Sequence, residues 1–72
     1  MTDFNRDIWY EIDVNVARKG HKPSWHELQD ANGDCIKWSN EADARSALAD
    51  EGRGNNARVL RCVGGICKPM VA

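Results

Sequence analysis

The chain predicts a small α+β domain: an antiparallel sheet in β-β-β-α-β order with one helix packed on one face. Three features of the sequence carry that expectation. Apolar and polar residues alternate without a break over residues 8–16, Ile-Trp-Tyr-Glu-Ile-Asp-Val-Asn-Val. An Asn-Gly pair at 32–33 joins two strand-like runs, and a single capped helical pattern follows it. Seventy-two residues make one domain, 1–72, with no room for a second core.

In the first strand, side chains point alternately to opposite faces. Ile8, Tyr10, Ile12, Val14 and Val16 therefore share one side, and Trp9, Glu11, Asp13 and Asn15 the other. A helix over the same residues would scatter the apolar set round its circumference. Such an antiparallel sheet needs only one covering layer and can keep its other face in water.

Residues 17–24 connect the first strand to the second, punctuated by Gly20 and Pro23. Arg18, Lys19 and Lys22, with His21 between them, make this the one compact basic feature of the chain.

The next two runs, 25–30 and 34–38, flank Ala31-Asn32-Gly33. A two-residue Asn32-Gly33 loop would oppose Leu28 to Lys37 and mix polar with apolar residues on both faces. A three-residue loop, with a type I turn over 30–33 and Gly33 left-handed, opposes Leu28 to Ile36 and His26 to Trp38. Asp30 at the first turn position and Gly33 at the fourth suit that turn. The second register is expected, with Cys35 and Lys37 on the face away from the core.

Ser39 or Asn40 can cap a helix whose first turn carries Glu41 and Asp43, the sign the dipole favours there. The helix runs to about Glu51 and stops at Gly52. Residues 57–63 read as the last clear strand. After Gly64-Gly65, Ile66-Cys67-Lys68 can pair back as a short fifth strand before Pro69. The expected core is Ile8, Tyr10, Ile12, Val14, Leu28, Ile36, Trp38, Ala44, Leu48 and either Leu60 or Val59.

Composition narrows the function classes. Ten basic and eleven acidic side chains give a formal charge of −1. A protein that grips nucleic acid by neutralising phosphates usually carries a clear positive excess, and a DNA mimic a strongly negative one. No apolar run approaches the roughly 20 residues that cross a bilayer. Residues 1–7 lack the basic region and apolar core of a secretory signal, so the expected compartment is the cytoplasm.

Little in the chain suggests catalysis. Three cysteines with His21 or His26 could number the four ligands of a zinc site. Cys35, however, sits midway along a run with no second ligand beside it, so no metal and no cofactor are expected. Across a two-residue Gly64-Gly65 turn, Cys62 lies opposite Cys67, close enough for a disulfide, but in a reducing compartment the thiols should stay free. Glu11 and Asp13 could share acid–base work, although alternating charges on a wet strand face explain them equally well. No nucleotide-cradling glycine pattern and no nucleophile–base pair is present. The chain is expected not to be an enzyme.

The tryptophans carry more weight. Three of them in 72 residues exceed what so small a core easily encloses. Trp38 belongs to the inner face, whereas Trp9 falls beside Glu11 and Asp13, and Trp25 follows the basic loop. Large aromatics left outside are favoured anchors at protein interfaces. Cations on phosphates with an indole stacked on a base would instead make the loop 18–25 a nucleic-acid grip.

The arrangement resembles small accessory proteins of phages and other mobile elements, including anti-CRISPR proteins built from a β-sheet and one helix. The likeness rests on residues 9–14, the hairpin at Asn32-Gly33, residues 39–49 running to Gly52, and Ala57-Arg58-Val59. The helix and strand also look like half of a SPOR peptidoglycan-binding domain. Neither resemblance carries a functional residue over by position. The phage-like one implies a non-enzymatic, inhibitory protein that occupies a surface of a larger host complex, such as a defence system.

The expected partner is therefore a protein, with nucleic acid as the alternative; no membrane is involved, and a homodimer is compatible with the sequence. The expected contact residues are Trp9, Glu11, Asp13, Arg18, Lys19, Lys22, Trp25 and Lys37, on the open side of the sheet and its adjoining loop.

Overall fold

A computed structural model of the chain describes residues 7–70. The N-terminal segment read above for a signal lies, but for Asp7, outside them. Four strands form one curled antiparallel sheet: β1 (Ile8–Asn15), β2 (Trp25–Glu27), β3 (Ala57–Val63) and β4 (Ile66–Pro69). Their order across the sheet is β2-β1-β3-β4. The helix α1 (Glu41–Glu51) and a single 3-10 turn at Gly54–Asn56 come between β2 and β3. No helix among the described residues is long and apolar enough to cross a membrane.

The small α+β architecture agrees with the expectation, but the strand sequence differs from β-β-β-α-β. Residues 34–38 form no regular strand; they touch the sheet through isolated bridges, Gln29 with Cys35 and Tyr10 with Trp38. The turn is the one expected. Gly33 N donates to Asp30 O at 3.0 Å with Gly33 at φ +86°, and Ile36 N donates to Leu28 O at 3.1 Å. His26 opposite Trp38 is not formed.

The reason is competition for one edge. β2 already occupies the edge of β1, with Val14 opposite His26, and the Leu28 amide extends that pairing to Ile12 O at 2.7 Å. Further along β1 the edge is free at Tyr10. There Trp38 exchanges two 2.8 Å backbone hydrogen bonds with Tyr10. Between those two contacts the chain makes the 30–33 turn and returns to the same edge. The short strand expected after Gly64-Gly65 is β4, so the sheet has four strands rather than five.

The helix begins and ends as its sequence predicts. Asn40 caps it by accepting the Asp43 amide at 2.8 Å, and Gly52 closes it in the left-handed region at φ 65°. Its Ala44 is wholly buried against Ile12, Val14, Ala57 and Val59, with Tyr10, Leu28, Trp38, Ala47, Leu48 and Met70 packed around them. Small side chains on the helix let it lie close to the sheet. Of the two β3 candidates, Val59 is the core residue, because it pairs with Ile12; Leu60 pairs with Glu11 on the other face. Ile8 and Ile36 are only half-buried, and Val16, beyond the end of β1, is exposed.

The second face is not wholly wet. Leu60 is 7% and Cys62 0% exposed there, although no helix lies over them. Side chains of the same face, and the returning hairpin, take water away from them.

Candidate functional site

The face of the sheet opposite the helix is built by alternation along β1. Trp9, Glu11, Asp13 and Asn15 point to it, and across on β3 Cys62 faces Trp9, Leu60 faces Glu11 and Arg58 faces Asp13. Trp25 and Glu27 of β2 lie opposite Asn15 and Asp13, and Cys67 of β4 opposite Cys62.

Glu11 is the centre of this face. Its carboxylate accepts the Trp9 indole N–H at 2.6 Å and lies 3.7 Å from Cys67 Sγ. One oxygen of Glu11, one of Glu27 and the Cys35 Sγ lie within 4.8 Å of one another. Burial, a hydrogen bond to Glu11 and the charges of Glu11 and Glu27 push the Cys35 thiol up to about 12, against a smaller opposing pull from Lys37. Cys35 is therefore a protonated, weakly nucleophilic thiol.

Two cation–indole stacks flank that centre. Lys37 Nζ sits 4.8 Å from the centre of the Trp9 ring, and the Arg58 guanidinium 4.0 Å from that of Trp25. Arg58 also reaches the Asp13 carboxylate at 3.4 Å, which offsets the like-charge pairing of Asp13 with Glu27 across β1 and β2. All three tryptophans are half-buried, so the surplus expected outside is smaller than composition implied. The sequence reading missed Arg58. Its position directly across from Asp13 was the available signal, but it required the β1–β3 register.

Cys62 and Cys67 are joined in a disulfide, which overturns the expectation of free thiols. Gly64 and Gly65 both have positive φ, +58° and +88°, as a two-residue hairpin turn requires. Val63 then faces Ile66, and the cysteines are directly opposed with Cα atoms 3.9 Å apart. Cys35 is the free cysteine.

The eight expected contact residues divide into two groups. Trp9, Glu11, Asp13, Trp25 and Lys37 come together on the helix-free face. Arg18 and Lys19 do not join them: with His21, Arg53 and Asn56 they line a polar cleft of about 670 Å³ at the far end of β1. Lys22 is exposed in the same loop. Asn15 ties the base of that loop, accepting the amides of Ala17 at 3.0 Å and Ser24 at 2.9 Å while donating to Asn56 Oδ1 at 3.3 Å. Arg53, supplied from beyond α1, was not foreseen because nothing local in the sequence links it to residues 18–21.

A second apolar feature lies elsewhere. Val63 and Ile66, 42% and 67% exposed, flank the β3–β4 turn and line a cleft of about 490 Å³ with Arg61, Lys68, Pro69 and Met70.

No protein-family model matches the chain, and no curated protein or solved structure does either.

Proposed function

We propose that this chain is a non-enzymatic binding domain that acts by laying the helix-free face of its sheet against a protein surface. The observation supporting this is the pair of cation-stacked indoles, Trp9 under Lys37 and Trp25 under Arg58, on a face that no helix covers. Half-buried aromatics held rigid by neighbours lose little entropy when a partner covers their remaining surface. Aromatic and arginine side chains are also the types that dominate interface energetics. The resemblance to phage accessory proteins supplies a setting for that activity, the obstruction of a host complex in the cytoplasm.

A second reading rests on the cleft of Arg18, Lys19, His21 and Arg53, whose cations suit an anionic partner such as a nucleic-acid backbone. One experiment separates the two. The chain is used to capture partners from a bacterial lysate with and without nuclease, beside Trp9→Ala and an Arg18→Glu/Lys19→Glu double variant. The protein reading expects capture of a defined protein that survives nuclease, falls at least about thirtyfold in affinity with Trp9→Ala, and is indifferent to the loop variant. Loss of capture with nuclease or with the loop variant overturns it in favour of nucleic acid.

A further inference from the structure

β4 is the last strand of the sheet, and among the described residues only β3 pairs with it. The groups on its outer edge follow from that pairing. Met70 N donates to Val59 O at 2.9 Å, so these two form a hydrogen-bonded pair. Hydrogen-bonded and non-hydrogen-bonded pairs alternate along an antiparallel ladder. In register, Lys68 with Arg61 and Ile66 with Val63 bond inward, whereas Cys67 and Pro69 turn their backbone groups outward. The free edge therefore offers the N–H and C=O of Cys67 and the C=O of Pro69, since proline has no N–H.

A groove runs beside that edge. By the same alternation Arg61, Val63, Ile66, Lys68 and Met70 lie on the helix side of the sheet, and Val63 and Ile66 stay exposed there. With Pro69 they line the cleft of about 490 Å³, and no acidic residue lines it. Among the described residues Arg61 and Lys68 form no ion pair. We propose that the outer edge of β4 docks an extended acidic segment of a partner protein, which adds to the sheet as a fifth strand.

Strand addition takes affinity from main-chain hydrogen bonds and specificity from alternate side chains. In an antiparallel addition one residue of the segment exchanges two bonds with Cys67. The residue after it lies opposite Ile66, and the residue before it opposite Lys68. The segment therefore reads acidic, any residue, apolar, from its N-terminus. Charge chooses this occupant over a second copy of the chain. Two copies paired about Cys67 would set both Arg61–Lys68 pairs on one face with no carboxylate between them, and like charges across strands repel. A lipid surface would meet the cations and the apolar pair but would leave the Cys67 edge groups unmatched. This surface is separate from the face of Trp9 and Trp25, and the proposal does not rest on the partner inferred for that face.

The probe is the peptide acetyl-Ser-Glu-Thr-Glu-Thr-Ile-Thr-amide, titrated into the full, disulfide-bonded chain and followed by amide NMR. Its isoleucine is placed opposite Ile66, its second glutamate opposite Lys68, and the threonine between them against Cys67. Saturable shifts confined to the β3–β4 hairpin and its groove are expected, with the Cys67 amide protected from hydrogen exchange. Lys68→Glu should weaken binding by about tenfold, and a peptide with lysine for the second glutamate should recover it. Methylating the nitrogen of the central threonine removes the donor to Cys67 O and should abolish binding at unchanged charge. The wild-type shift map needs no variant to fold. No saturable binding at millimolar peptide, shifts centred elsewhere, or equal binding of the methylated peptide overturns the proposal. Binding to phosphatidylserine vesicles without binding of the peptide overturns it in favour of a membrane. Concentration-dependent shifts of β4 in the chain alone, with dimer in sedimentation, overturn it in favour of a second copy.

Discussion

The indole N–H of Trp9 donates a 2.6 Å hydrogen bond to the carboxylate of Glu11, its neighbour but one on the same face of β1. That bond explains why an indole belongs on a face of charges. It satisfies a half-buried carboxylate that forms no ion pair among the described residues, and it leaves the flat of the ring for Lys37. A tryptophan is needed because phenylalanine has no donor and tyrosine's hydroxyl lies at the wrong end of its ring.

Replacing Trp9 by Phe keeps much of the apolar area and removes the donor. Hydrogen bonds to charged groups are worth about 1.5–3 kcal/mol, and partial exposure lowers the share realised here. Chemical denaturation should show a loss of about 1 kcal/mol, with Trp9→Phe/Glu11→Gln losing less than the sum of the single changes. Full additivity would mean that the bond contributes nothing to stability.

The Cys35 thiol makes stability fall in alkali. Its folded pKa, about 12, lies above the ordinary value of 9.0. Between those values the unfolded chain has lost a proton that the folded chain keeps, so raising the pH favours unfolding. The contribution is complete below pH 9 and is lost as the pH climbs toward 12. For the disulfide-bonded protein, thermal melts should lose stability across that window more steeply than Cys35→Ser does. The same cause should slow alkylation of Cys35 at pH 8 relative to a free thiol, and Glu11→Gln should quicken it.

Reducing the disulfide should lower the unfolding free energy by about 2 kcal/mol, the loop-closure value for so short a ring. Urea titrations with and without reductant measure it. The small loop is the reason to expect no more than this, since longer closed loops are worth more.

The helix ends give two further tests. Asn40→Ala removes the acceptor for the Asp43 amide and should cost about 1 kcal/mol. At Gly52, φ is 65° with open space around the Cβ position, so Gly52→Ala should cost about 1 kcal/mol through backbone strain without any clash. Equal stability of either variant to the parent would show that packing, and not the cap, ends this helix.

Much of the fold was legible in the sequence because it is local. The alternation over residues 8–16 names a strand and both of its faces. Asp30 and Gly33 choose the turn between 28 and 36, and Asn40 with Gly52 brackets the helix. In each case the deciding interaction joins residues within a few positions of one another. The tertiary structure alone decided which segment holds each stretch of the β1 edge. Two segments, 25–28 and Trp38, compete for it, and their partition depends on backbone hydrogen bonds to residues far off in sequence. The site followed from the same cause. Arg58 beside Asp13, Arg53 in one cleft with Lys19, and Cys35 beside Glu11 come together only once β3 and the returning hairpin are docked. Alternation shows which way a side chain points; only docking shows what it meets there.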